Sequence, residues 1–192
     1  MLSETSHLAL EPVSRQSDWD RAVSYDAFLG VAAKHVDLWQ GIYERFAVPA
    51  GVLARAADLP GEWRLLVLSE DWCGDASNSV PVLARLAASV PAFELRLLDR
   101  DQNLDLMDEH LTNGARGIPA VLLLDGAGVE RGWWGPRPAD LQRWVMTEGK
   151  LIEDHDEKYL HVRKWYARDR GAETLGEVLT LLETVAGTGG VA

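Results

Sequence analysis

The sequence predicts an α/β fold with additional helical segments at both ends, and three observations carry that expectation. The segment Arg64 to Asp71 has a Leu/Val core that reads as a buried strand, and it turns directly into a helical pattern of Val80, Val82, Leu83, Leu86 and Val90. A second apolar run, Phe93 to Leu98, follows that helix. Helical periodicity then recurs on either side, before residue 60 and after residue 149.

Taken in chain order, residues 1–20 keep no steady period and carry Ser, Pro and Asp, which reads as an irregular arm. A helical pattern begins at Ser24, a residue suited to capping. Phe28, Leu29, Val31, Ala32 and Val36 lead into Leu38, Trp39, Ile42, Tyr43 and Phe46. Pro49-Ala50-Gly51 interrupts, and Val52 to Ala57 predicts a short third helix before Pro60-Gly61. Pro138 to Met146 reads as a helix entered through proline, with Leu141, Trp144 and Val145 on one face. Ile152 to Arg168 and Thr174 to Val185 predict two more helices, broken near Asp169-Arg170-Gly171. The expected organisation is one domain over 1–192: an arm (1–20), an N-terminal helical extension (21–59), a core (60–149) and a C-terminal helical extension (150–192).

Cys73 is the single cysteine among 192 residues, and it lies at the junction of the strand and the long helix. The first N–H groups of a helix have no internal partners, and their dipoles favour negative charge on a nearby sulfur. That layout suits thiol chemistry. A lone cysteine cannot supply the thiolate set of a structural zinc site.

The stretch Trp72-Cys73-Gly74-Asp75-Ala76 resembles the thioredoxin family, whose motif is Trp-Cys-Gly-Pro-Cys after a central strand. Pro81 falls at the spacing of the family's helix proline, and Asp101-Gln102-Asn103 closes the next strand in the family's manner. Gly114 to Asp125, with Gly117-Ile118-Pro119 inside it, resembles the Ile-Pro-Thr loop and the strand after it. Gly126 and Gly128 suit a hairpin turn, and Val129 to Trp134 the last strand. The resemblance covers roughly residues 60–149. It implies a thioredoxin-like mixed β-sheet of about four strands, flanked by helices. It also implies a cis bond before Pro119, and a groove for an extended peptide or thiol formed by Trp72, Gly74, Asp75, Gly117, Ile118 and Pro119.

The departures from the motif limit the chemistry. Asp75 stands at the family's proline and Ala76 at its resolving cysteine. Val67 and Leu97 stand where the family carries a buried acid and its lysine partner. A dithiol cycle within one chain is therefore excluded, because a mixed disulfide at Cys73 has no internal thiol to displace it. Two functions remain. One is monothiol–disulfide exchange or reversible thiol capping at Cys73, with a protein or a low-molecular-weight thiol or disulfide as partner. The other is a redox-inactive binding or scaffold module on the same fold.

Charge bears on the choice. A helix terminus contributes about 0.3–1 kcal/mol toward a thiolate, or ~2 in a partly buried geometry. Glu70, Asp71 and Asp75 oppose it, each by ~0.7 kcal/mol at 6 Å in water and more near a protein surface. The effects nearly cancel, which predicts a pKa near the unperturbed ~8.5, while the strand–thiol–helix setting and the flanking landmarks predict that the thiol is accessible.

Composition excludes other classes. With 47% hydrophobic and 26% charged residues the chain is an ordinary globular one. A net charge of −11 argues against nucleic-acid or anionic-membrane binding, which need clustered Lys and Arg. No stretch approaches the ~20 apolar residues of a membrane span. Residues 1–14 lack a secretory signal pattern, so a cytoplasmic location is expected, in keeping with a free cysteine. No cofactor and no metal are expected. Asp71, Cys73 and Asp75 do not converge on one helix face, and Glu153-Asp154-His155-Asp156-Glu157 reads as a solvated charge run at a helix start. His7, His35, His110 and His161 stand in no recognisable relation to Cys73, and His110 is expected at the surface. In Trp133-Trp134, alternation should bury one ring in the sheet and set the other against a flanking helix.

Overall fold

The structure is a computed structural model that describes residues 2–188. In chain order it runs β1 (Ser6–Ser14), α1 (Gln16–Arg21), β2 (Val23–Ser24), α2 (Tyr25–Val31), α3 (Val36–Arg45) and α4 (Ala50–Ala57). The core follows with β3 (Trp63–Ser69), α5 (Gly74–Ser89), β4 (Phe93–Asp99), α6 (Leu104–Asp108), β5 (Ala120–Asp125) and β6 (Val129–Trp134). Then come α7 (Ala139–Met146), α8 (His155–Asp169) and α9 (Ala172–Thr188). The last four residues of the expected C-terminal extension, 189–192, lie outside the described residues, as does Met1.

The described strands form one mixed sheet in the order β1-β6-β5-β3-β4-β2. β3 runs parallel to β4 and antiparallel to β5, and β5 and β6 form a hairpin. As a central strand covered on both faces, β3 needs an apolar run rather than alternation. Its Leu65, Leu66, Val67 and Leu68 are all fully buried, as is Leu97 on β4. Val67 lies directly beside Leu97 and Val121 in the sheet register, so the acid-and-lysine positions noted above are plain hydrocarbon.

α5 covers the sheet and packs on α3, β4 and α9, while α9 also reaches β1 and β6. Val80, Leu83 and Leu86 of α5 and Val178, Leu179, Leu181 and Leu182 of α9 enter the same core as β3 and β5. Burial of such side chains contributes about 1.5–3 kcal/mol each before chain entropy is set against it.

Two expectations need correction. The sheet has six strands rather than four, because residues 1–20 are not an irregular arm. They form the nine-residue edge strand β1 and the short helix α1. The pattern is hidden because β1 is an edge strand with a register break between Leu8 and Val13, leaving Leu10 97% exposed. β2 is a two-residue pairing on the opposite edge. The helical pattern begun at Ser24 also breaks in two. Ser24 caps α2 by accepting from Ala27 N, but the chain leaves the helix at Ala32. There Asp71 Oδ2 accepts from the N–H groups of Ala33 and Lys34 at 2.7 and 2.9 Å, pinning the linker beside the strand–helix junction.

His110 is a further correction. It is buried, with Nδ1 2.8 Å from Leu106 O and Nε2 2.8 Å from Glu130 Oε1. Arg15 donates to the other Glu130 oxygen at 2.7 Å and also pairs with Glu109. The cluster ties β1 to β6 and to the turn after α6. Both tryptophans of the pair are buried. Trp133 stacks on His7, and Trp134 donates from Nε1 to Glu177 of α9 at 2.7 Å.

Candidate functional site

Cys73 is the N-cap of α5, in extended conformation, with its carbonyl accepting from Ser77 N. Its Sγ accepts from Ala76 N at 3.5 Å, as a serine hydroxyl does at this position. The thiol donates to the carbonyl of Ile118 at 3.4 Å. The sulfur therefore sits across from the Ile118–Pro119 peptide, which is cis, as is Gly135–Pro136.

Both partners of the sulfur are used by the fold, and the residue is only 8% exposed. Accessibility at Cys73 and a pKa near 8.5 were expected, and the geometry differs on both counts. Burial pushes the thiol up to about 11, and the charge of Asp75 adds to that. The Ala76 and Asp75 N–H groups and the Arg137 cation pull the other way and only partly offset it. The helix-terminus effect is present, but desolvation exceeds it.

Asp75 is committed as well. Arg137, from the loop after β6, donates to Asp75 Oδ2 from Nε at 3.0 Å and Nη2 at 2.6 Å. Tyr166 of α8 donates from its hydroxyl to Oδ1 at 3.0 Å. Arg137 Nη1 donates to Gln142 Oε1 at 2.8 Å. Burial alone would lower Arg137, but the charge and hydrogen bonds of Asp75 raise it above its ordinary value. Burial pushes the Tyr166 phenol well above its ordinary range, so it stays a donor.

The remaining expected site residues surround the sulfur unevenly. Trp72 is 46% exposed, and the Arg100 guanidinium lies over its ring, 5.2 Å from the centroid. Ile118 and Pro119 are buried and Gly117 half-buried. Gly117 lies so near Pro136 that a Cβ there would approach Pro136 Cγ within 2.9 Å. Gly135 has φ +144, and a side chain on it would collide with the Pro119 carbonyl. Gly74 faces Tyr159 of α8. The accessible part of the site is thus Trp72 and the rim of the Gly117 loop, not the sulfur.

Arg137, Gln142 and Tyr166 were not foreseen. The one signal for them is Asp75 itself: a carboxylate in the first turn of a helix packed into the core needs a buried cation or donors. No group of three or more His, Cys, Asp or Glu that could hold a metal is found among the described residues. None of the described helices is long and apolar enough to cross a membrane.

In fold the chain is similar to a protein of unknown function from Pseudomonas aeruginosa, with a TM-score of 0.68 and 23% identity over 90% of this chain and 98% of that one. It is similar in the same degree to an HIV epitope-scaffold protein, with a TM-score of 0.68 and 22% identity over 90% and 99% of the two chains. No curated protein matches it. The family model described as Thioredoxin matches residues 22–158, from the start of β2 through the core into α8, and on that match the chain belongs to the thioredoxin family.

Proposed function

We propose that this protein is a thioredoxin-fold binding module in which Cys73 serves, at neutral pH, as a protonated hydrogen-bond donor rather than a nucleophile. One observation carries the reading: the thiol is buried, donates to Ile118 O and caps α5, with its pKa pushed up to about 11. At pH 7 that leaves about one molecule in 10,000 as thiolate, the species that attacks disulfides. The surface offered to a partner is the half-exposed Trp72 ring and the Gly117 rim, which suit an extended segment of another protein. A chain that keeps one reduced thiol in this state suits the cytoplasm.

Monothiol exchange is the second reading, favoured by the placement of Sγ at a helix N-terminus opposite the Ile118–Pro119 peptide. In it the Cys73 thiolate attacks a disulfide, one half leaves as thiolate, and an external thiol later displaces Cys73. The two readings separate in one experiment. The protein is incubated with oxidised glutathione at neutral pH, adduct is followed by intact mass, and a fresh thiol is then added. The binding module gives no adduct over hours, with adduct appearing only as the pH is raised. Rapid adduct formation and release at neutral pH, lost in Cys73→Ser, overturns it in favour of exchange.

A further inference from the structure

Residues of α3, α5 and α8 line a groove of about 540 Å³. Its apolar lining comes from Leu38 and Ile42 of α3, Phe46 at the C-cap of that helix, Val82 of α5 and Ala167 of α8. The volume falls within the ~300–1,000 Å³ range of small-molecule sites. Leu38 is an exposed large apolar side chain, which leaves hydrocarbon of the groove facing solvent.

Three arginines line the same groove: Arg45 from α3, and Arg163 and Arg170 from α8 and its C-cap. Each is exposed, and none of the three forms an ion pair or a side-chain hydrogen bond among the described residues. Nine of the fifteen arginines do pair with a carboxylate, and besides these three only Arg64, Arg85 and Arg168 do not among the described residues. Acidic residues outnumber Lys and Arg by 30 to 19, and Arg15, Arg21, Arg55, Arg96, Arg100, Arg116, Arg131, Arg137 and Arg143 are all paired with carboxylates. Arg45 lies back over Gly41, also in the lining, where a Cβ would collide with its guanidinium. An apolar groove lined by unpaired guanidinium groups complements a molecule with a hydrocarbon body and an anionic head.

From this we infer that the α3–α5–α8 groove binds a small amphipathic anion, an apolar chain or ring system bearing a carboxylate or phosphate. The hydrocarbon lies over Leu38, Ile42, Phe46 and Val82, and the head is held by Arg163, Arg170 and Arg45. The site is separate from the Cys73 reading, although Tyr166 borders both: its ring lines the groove while its hydroxyl holds Asp75.

The test is calorimetric titration of the full chain with dodecanoate and, in a second arm, dodecyl phosphate; the tighter of the two identifies the head group. Saturable one-to-one binding is expected, with dodecanol at least about tenfold weaker, the scale of one charge-assisted hydrogen bond. Arg163→Glu combined with Arg170→Glu should weaken binding about tenfold or more, and Ala167→Trp should abolish it by filling the groove. If the reversed variant does not fold, Arg163→Gln with Arg170→Gln is read in its place, with near-ultraviolet circular dichroism as the fold check. The inference is overturned by absence of saturable binding, by dodecanol binding as tightly as the anions, or by affinity unchanged in folded arginine variants.

Discussion

Arg137 reaches back across 62 residues of chain to hold Asp75, with Nε and Nη2 both directed at Oδ2 at 3.0 and 2.6 Å. The pair is largely buried, with the Asp75 side chain 12% and the Arg137 side chain 21% exposed. It fixes the first turn of α5 to the loop after β6 and, through Tyr166, to α8. Removing one partner strands the other. Arg137→Met should therefore lower stability by about 3 kcal/mol in urea denaturation. Asp75→Asn keeps acceptor capacity but removes the negative charge opposing the thiolate, so the Cys73 pKa should fall in that variant while the fold persists.

Cys73 has a structural task that serine can perform. A hydroxyl at residue 73 accepts from Ala76 N as an N-cap and donates to Ile118 O, so Cys73→Ser should change stability by less than about 1 kcal/mol. Cys73→Val fills similar space but leaves the Ile118 carbonyl and the Ala76 N–H without their partner. It should cost about 1–3 kcal/mol. Denaturant midpoints for the two variants check this directly, and equal losses would contradict the capping role.

The raised thiol pKa also sets a pH dependence. A group that stays protonated longer in the folded state stabilises the fold below its unfolded value, and that contribution is lost as pH rises through the folded value. For Cys73 the window runs from the ordinary thiol value up to about 11. Wild type should lose about 3 kcal/mol across it that Cys73→Ser does not lose. Comparing the two proteins removes the contribution of Tyr25 and Tyr166, whose phenols burial also pushes up.

At the acid end the relevant group is Glu130. Burial alone would raise it, but His110 and Arg15 hold it below its ordinary 4.5. A depressed carboxylate stabilises the fold above its unfolded value, and the contribution disappears as pH falls through the folded value. Thermal melts should show wild type losing stability on acidification below about pH 4.5. Glu130→Gln should start less stable and show a shallower acid slope.

Glu177 of α9 joins β6, α7 and the residue just before β1. Its Oε2 accepts from Thr5 Oγ1 at 2.8 Å and Trp134 Nε1 at 2.7 Å, and its Oε1 accepts from Ala139 N at 2.8 Å. Glu177→Ala leaves three donors without an acceptor and should destabilise by about 2–4 kcal/mol. Glu177→Gln, which keeps one oxygen, should lose less. Urea denaturation of both variants tests the ranking.

The core was legible in the sequence wherever an element is buried on its own pattern. β3 is an unbroken apolar run because both its faces are covered, and α5 announces itself through Val80, Leu83 and Leu86. β1 was not legible, because an edge strand with a bulge exposes Leu8, Leu10 and Val13 and shows no alternation. The site divides in the same way. The meeting of Cys73 with Ile118 was foreseen through the family resemblance, since both lie in matched segments. The state of the thiol was not. Local charges near residue 73 could be counted, but burial dominates, and it comes from the folded surroundings, where even the carbonyl that meets the sulfur belongs to Ile118, 45 residues away. The partners of Asp75 lie 62 and 91 residues away, outside any motif.

The most direct test of the account is a titration of the Cys73 thiolate by its ultraviolet absorbance, with Cys73→Ser as the baseline and iodoacetamide alkylation rates as a second reading. One transition near pH 11 is expected, with alkylation at neutral pH about 100-fold slower than that of an unperturbed thiol. A transition at or below neutral pH, with fast alkylation there, would contradict it.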